Sequence, residues 1–110
     1  MDEEYVEAVL ALVEDVPPGR VTTYGAIGDR LGTGPRIVGR VLSLYGGPVP
    51  WWRVVRADGS LPPSHDERAV AAYREEGTPM RASGRVDVAA AFWQPGPEPS
   101  SRPGGSPDAR

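Results

Sequence analysis

Two breaks rich in proline and glycine constrain the first half of this chain more than any other feature. The first break is the segment 16–19, Val-Pro-Pro-Gly, and the second is the segment 32–35, Gly-Thr-Gly-Pro. Proline disfavours the helical conformation of the residue before it, and glycine is common immediately after a helix ends. The breaks therefore predict separate helices on either side of each of them.

Local signals place these helices more closely. Apolar residues recur at helical spacing over 3–16, and the first turn is acidic, as the helix dipole favours. Thr22 or Thr23 can cap a second helix that runs to residue 31, and Pro35 suits the first position of a third helix that runs to about residue 45. Two short helices separated by Gly-Thr-Gly have the proportions of a helix-turn-helix.

The third helix has an apolar face and a basic face. The predicted apolar stripe comprises Val38, Val41, Leu42 and Tyr45, and the opposite face carries Arg36, Arg40 and Ser43. A solvated charged face and a basic recognition helix have the same pattern, so the pattern alone leaves both interpretations open.

The second half of the chain contains signals for a hairpin and a fourth helix. The Asp-Gly pair at 58–59 separates residues 52–56 from 60–61, which predicts a tight hairpin and suggests a wing. Ser-His-Asp-Glu at 64–67 is typical of a capping box, and it predicts a fourth helix that ends at Glu76. Residues 86–93 are ambiguous between a short strand and a turn that brings two aromatic residues back onto the core.

Composition excludes several kinds of chemistry. The 110 residues include no cysteine and one histidine, so disulfides, thiolate nucleophiles and cysteine metal sites are excluded, and we expect no metal and no cofactor. The acidic start lacks the basic region of a signal peptide, and no apolar run has the ~20 residues of a membrane span. We therefore expect a cytoplasmic protein without membrane contact. Residues 1–94 are the predicted folded domain, and the Pro/Gly/Ser-rich tail 95–110 is predicted to be disordered.

The charge distribution suggests a polyanionic partner in spite of a net charge of −3. Residues 1–17 carry six acidic residues and no basic one, whereas residues 18–60 carry six arginines against two aspartates. A basic segment in the middle of an acidic chain is typical of an electrostatic binding surface. All 12 basic residues are arginine, whose planar guanidinium can bind a phosphate through two hydrogen bonds.

Four blocks of sequence, in this order, resemble the DNA-binding domain of O6-alkylguanine-DNA alkyltransferases. The blocks are residues 16–27, 36–40, 49–55 and 58–61. The third block reads Pro-Cys-His-Arg-Val in those enzymes, whereas here Trp51 stands in the place of the cysteine and Trp52 in the place of the histidine. This pattern is similar to the alkyltransferase-like proteins, the non-catalytic branch. The resemblance implies a mainly helical fold, a winged helix-turn-helix-like DNA-binding domain with a short β-hairpin.

The resemblance also implies roles for individual residues. Tyr24 matches the tyrosine that presses on the 3′ phosphate and rotates the nucleotide out of the duplex. Arg36 matches the arginine that fills the vacated space in the base stack, with Arg40 as the alternative. Trp51 would form the back wall of a base pocket. The further pocket positions that we expect are Trp52, Val54 and Leu42.

The function implied is recognition of DNA damage without catalysis. The chain would bind O6-alkylguanine in double-stranded DNA as a monomer, dock in the minor groove, flip the base and flag the lesion for nucleotide excision repair proteins. It would not be an enzyme, because it lacks the alkyl-accepting cysteine. A winged-helix transcription regulator or an interaction module on the same scaffold is the alternative, and it would prefer a DNA sequence to a lesion.

Overall fold

The helix-turn-helix lies at the centre of the computed structural model, which describes residues 2–61 and 66–96. The elements, in chain order, are α1 (Glu3–Asp15), β1 (Thr22–Thr23), α2 (Tyr24–Leu31), α3 (Pro35–Tyr45), a 3-10 turn (Trp51–Arg53), β2 (Val54–Val55), α4 (Asp66–Glu76) and α5 (Val88–Ala91). The fold is mainly helical, as predicted. Within the described residues, no helix is long and apolar enough to cross a membrane.

The ends of the first three helices follow the local signals of the sequence. The Thr23 hydroxyl accepts a hydrogen bond from the backbone N–H of Ala26 at 3.0 Å and so caps α2. Gly32 ends the same helix with a φ of 74°, a left-handed conformation that favours glycine. Pro35 occupies the first turn of α3, where its missing N–H costs nothing. The predicted bounds of α2 and α3 are confirmed.

Two clusters of buried side chains hold the fold together, one on each side of β2. The first joins α1, α2 and α3 and contains Val6, Val9, Val13, Ile27, Val38, Val41, Val49 and Val54. The second contains Val21, Val55, Ala69, Tyr73, Val86 and Ala91. Val54 and Val55 belong to different clusters because successive side chains of a strand point to opposite faces. The short strand β2 therefore joins the helix-turn-helix to the C-terminal half.

The strand partner of β2 differs from the predicted hairpin. β2 pairs with β1 in parallel, with Thr22 opposite Val54 and Thr23 opposite Val55. The tight turn at 57–59 does form, since the Arg56 N–H donates to the Ser60 carbonyl at 3.1 Å. The return segment at 60–61 is not a strand. Pairing with β1 places β2 between the two clusters, where Val54 and Val55 are both buried.

The two tryptophans do not lie on a strand either. Trp51 and Trp52 belong to the 3-10 turn, which the Trp51 N–H, donating to the Val49 carbonyl, and the Arg53 N–H, donating to the Pro50 carbonyl, hold in place. Pro50 starts this turn, because its ring fixes φ near the helical value. The rings of Trp51 and Trp52 meet in one aromatic pair.

The remaining sequence expectations have mixed outcomes. Tyr45 is 47% exposed and lies outside the core, at the last position of α3. The ambiguous segment 86–93 forms α5, after which Phe92 bridges in parallel to Val21. The helix α4 ends at Glu76 as predicted, whereas the first two residues of its predicted capping box lie outside the described residues. Of the predicted tail, Pro95 is buried, and residues 97–110 lie outside the described residues.

Candidate nucleic-acid interface

Tyr24 lies where β1 becomes α2 and leans on α3. Its half-buried ring contacts Gly39, since a Cβ placed on that glycine would lie 3.9 Å from Tyr24 Cδ1. A methyl group at position 39 would meet the ring at ordinary van der Waals distance, so the tyrosine ring packs directly over Gly39. Burial raises the pKa of the Tyr24 phenol, and the nearby Arg56 guanidinium lowers it less, so the net shift is upward. The hydroxyl is therefore a neutral hydrogen-bond donor at physiological pH.

Arg36 and Arg40 stand on the outer face of α3, on either side of Gly39 along the chain. Both are exposed, and within the described part of the chain neither side chain forms an ion pair. They line an open groove of about 790 Å³ whose other lining residues are Gly34, Ile37, Leu44 and Tyr45. The structure thus brings Tyr24 and both candidate arginines to one region, the packed pair of α2 and α3. This groove combines unpaired cations with exposed apolar side chains.

Trp51 packs against the second core cluster and remains partly exposed. Its ring meets the Trp52 ring edge to face, with centroids 5.5 Å apart and planes at 86°. The guanidinium carbon of Arg68, from α4, lies 5.7 Å from the Trp51 ring centroid, within the range of a cation–π contact. Trp51 is therefore held between Trp52 and α4.

The carboxylate of Glu76 fixes the other tryptophan. Trp52 Nε1–H donates to Glu76 Oε2 at 3.0 Å, and the Arg53 guanidinium donates to both oxygens, at 3.1 Å through Nε and 2.6 Å through Nη2. The backbone N–H of Gly19 adds a fourth hydrogen bond at 3.2 Å. Arg53 also donates to the Val16 carbonyl at 2.9 Å. The role of Arg53 in the free protein is therefore structural, because its donors hold three parts of the chain together.

The pKa of Glu76 follows from these contacts. Burial raises it, whereas hydrogen bonds from Arg53, Trp52 and Gly19, together with the Arg53 charge, lower it more, so the net shift is downward. The carboxylate is ionised at physiological pH. Burial also raises the pKa of the Tyr73 phenol, which donates its O–H to the Trp52 carbonyl. The backbone and the indole of Trp52 are thus both anchored on α4.

Two of the predicted pocket residues pack in or against the first core cluster. The side chain of Val54 is fully buried in the first core cluster, so it offers no surface to a base in this conformation. Leu42 packs against the same cluster and is partly buried. Val54 is buried because β2 lies between the two cores, and this position depends on its pairing with β1. Among the described residues, no group of three acidic or histidine side chains could hold a metal ion.

Sequence reasoning assigned no role to Arg56 and Arg68. Arg56 follows β2 at the same end of the sheet at which Tyr24 follows β1, and Arg68 lies over Trp51. The arginine excess of residues 18–60 includes Arg56, but only the strand pairing reveals its neighbour. Arg68 lies outside that segment, and its contact with Trp51 requires α4 to pack on the 3-10 turn.

Comparison with known proteins gives consistent matches. Residues 4–78 match the family described as the 6-O-methylguanine DNA methyltransferase, DNA binding domain. The chain is 28% identical over 99 residues to a DNA base-flipping protein of Vibrio parahaemolyticus, an alignment that covers 84% of this chain and 99% of that protein. It is 33% identical over 98 residues to the DNA base-flipping protein of Escherichia coli, covering 84% of this chain and 76% of that protein.

The fold is also that of a solved complex. Atl1 of S. pombe, crystallised with damaged DNA containing O6-carboxymethylguanine, superposes with a TM-score of 0.73 at 25% identity. The superposition covers 86% of this chain and 99% of that one. The mainly helical fold class predicted from the sequence is confirmed.

Proposed function

Because the chain belongs to the family of the 6-O-methylguanine DNA methyltransferase DNA-binding domain, as an alkyltransferase-like protein, we propose that it is a non-enzymatic sensor of alkylated guanine in duplex DNA. The family resemblance seen in the sequence is confirmed by the match over residues 4–78. The names of the relatives support base flipping and binding of damaged DNA as the activity of this chain.

The residue that carries the proposal is Trp51. It occupies the place of the reactive cysteine in a chain that contains no cysteine at all. Transfer of an alkyl group onto the protein requires a thiolate nucleophile, so this scaffold can bind but cannot repair by that chemistry. A partly exposed indole at the same place offers an aromatic surface for a flipped base, and such contacts are worth ~1–3 kcal/mol per base.

The groove along α3 supports docking on the phosphate backbone. Arg36 or Arg40 enters the base stack there, where its guanidinium can hydrogen-bond to the orphaned base. Tyr24 presses on the 3′ phosphate, for which its neutral hydroxyl is suited. Flipping costs a few kcal/mol, so the inserted arginine and the pocket must offset this cost together. We propose that the protein docks in the minor groove. The base edges carry little sequence information there, so recognition depends more on the width of the groove and on contacts with the backbone.

We further propose that the bound lesion is passed to nucleotide excision repair. Since the chain has no cysteine to accept the alkyl group, removal of the lesion must come from other proteins. A persistent complex with an extrahelical base is a structure that such proteins can recognise.

The test is a pair of titrations followed by fluorescence anisotropy. The wild-type chain should bind a duplex with one O6-methylguanine more tightly than the same duplex with guanine. Trp51→Ala should weaken lesion binding by roughly five- to 150-fold and narrow the difference in affinity between the two duplexes, because stacking is the discriminating contact. 2-Aminopurine placed next to the target base reports flipping in the same samples.

Trp93→Ala is the matched control, because Trp93 is also a partly buried tryptophan but follows α5, where its backbone N–H donates to the Val21 carbonyl. Its ratio of lesion to guanine affinity should equal that of the wild-type chain. Equal affinity of the wild-type chain for both duplexes, with preference for a particular sequence, would favour the transcription regulator instead.

A further inference from the structure

The parallel pairing of β1 and β2 places Arg56 next to Tyr24. Thr23 lies opposite Val55, and each is the last residue of its strand. Tyr24 and Arg56 are the next residues along the chain, so they follow the two paired strands at the same end of the sheet. Neighbouring strands lie ~4.8 Å apart, so the backbones of these two residues start close together.

The backbone of Arg56 is held in place while its side chain is exposed. Its N–H donates to the Ser60 carbonyl at 3.1 Å, and its carbonyl accepts from the Gly59 N–H at 2.8 Å. Gly59 has a φ of 84°, and a Cβ there would collide with the Val86 backbone, so the turn requires glycine. The guanidinium starts from a fixed anchor, and the entropy lost on binding a ligand is confined to the side chain.

Arg56 is also uncommitted within the protein. Arg53 is engaged by Glu76, and Arg20 donates to the carbonyls of Ala91 and Phe92. In contrast, the Arg56 side chain makes no ion pair and no hydrogen bond within the part of the chain that the structure describes. Burial raises the pKa of the Tyr24 phenol, and the Arg56 charge lowers this pKa to a smaller extent.

We propose that Arg56 and the hydroxyl of Tyr24 bind the same DNA phosphate, so that Arg56 is a further DNA-binding residue that positions this phosphate for base flipping. This inference rests on the proposed function and extends it to a residue outside the helix-turn-helix. The guanidinium supplies charge and two parallel donors for the phosphate oxygens, and the neutral phenol supplies one more donor. The phosphate would then be held by β2 on one side and by α2 on the other.

The experiment compares Arg56→Gln with Arg81→Gln. The backbone of Arg81 forms a separate turn of the same kind, since its N–H donates to the Arg85 carbonyl and its carbonyl accepts from the Gly84 N–H. Its side chain is also exposed. Affinities for lesion and guanine duplexes are measured over a range of salt concentrations. Arg56→Gln should weaken both by about tenfold at ~0.1 M salt and reduce the slope of log affinity against log salt by about 1. Arg81→Gln should leave the slope unchanged.

A duplex with one neutral methylphosphonate at the 3′ phosphate of the target locates the contact. On this duplex Arg56→Gln should bind as well as the wild-type chain. On the ordinary duplex, the double variant with Tyr24→Phe should lose less affinity than the product of the two single losses, because both groups serve one phosphate.

An unchanged salt slope for Arg56→Gln overturns the inference, and so does an equal loss for Arg81→Gln. Independent, fully multiplicative effects of the two single variants overturn the shared phosphate. Failure of the proposed function looks different, because the wild-type chain would then bind lesion and guanine duplexes equally. The salt slopes of the wild-type chain and of Arg56→Gln could still be compared on either duplex.

Discussion

Replacing Glu76 by glutamine should destabilise the protein strongly. The carboxylate is 12% exposed and its partner Arg53 is 14% exposed, so the ion pair is largely removed from water. Four donors converge on the two oxygens, from Trp52, Arg53 and Gly19. Glutamine keeps one acceptor oxygen but presents an NH₂ group to these donors.

The magnitude follows from the charge that is left behind. Removing one partner of a buried ion pair leaves the other uncompensated, at a cost of 3–5 kcal/mol. The residual exposure places Glu76→Gln at the lower end, so we expect the free energy of unfolding to fall by about 3 kcal/mol. For a domain of this size, each kcal/mol lowers the melting temperature by about 4–8 °C, which predicts a decrease of at least ~12 °C.

Urea unfolding followed by tryptophan fluorescence measures the effect directly, because Trp52 is one of the donors. Glu75→Gln is the control, since Glu75 is the exposed neighbour on the same helix and forms no ion pair with any described residue. A loss below about 1 kcal/mol for Glu76→Gln would refute the argument, because a surface ion pair contributes no more than that.

The same carboxylate predicts a pH dependence. Its pKa is lowered from 4.5 in the folded protein, so the unfolded chain binds more protons in the acidic range. The stabilisation is therefore fully present above pH ~4.5 and is lost as the pH falls through the lower folded pKa. The decrease in unfolding free energy between pH ~5 and ~3 should be smaller in Glu76→Gln than in the wild-type chain, and parallel pH curves would contradict the predicted shift.

The remaining predictions concern DNA. Whichever of Arg36 and Arg40 enters the base stack, its exchange for alanine should abolish most of the 2-aminopurine signal, whereas exchange of the other should chiefly reduce the salt slope by about 1; equal effects of the two variants would refute insertion of a single arginine. Trp51→Cys alone should give no efficient methyl transfer, because a thiol with a pKa near ~8.5 is mostly protonated and no histidine activates it. Adding Trp52→His, whose ring N–H can use the Glu76 carboxylate as acceptor, should give detectable methylation of the new cysteine by mass spectrometry, and its absence would show that the carboxylate does not orient the introduced base.

The helix boundaries of the N-terminal half were predictable because their signals are local. A capping hydroxyl on Thr23, a left-handed glycine at 32 and a proline at 35 act on the backbone within a few residues of themselves. The ordered blocks around Tyr24 and Trp51 also identified the family without coordinates. Where the sequence was read as a local hairpin around Asp58, however, the prediction of the strand partner was wrong.

Contacts between distant segments required the tertiary structure. Val54–Val55 pair with β1 and not with a local return strand, and this pairing places β2 between the two core clusters. No local sequence pattern specifies these clusters, because their members come from distant segments of the chain. The same pairing buries Val54 and sets Arg56 beside Tyr24. Glu76 comes under Trp52 because α4 packs against the 3-10 turn. Residue type and local spacing thus determine which helices form and which aromatic replaces the cysteine, whereas burial and strand register decide which side chains remain accessible to DNA.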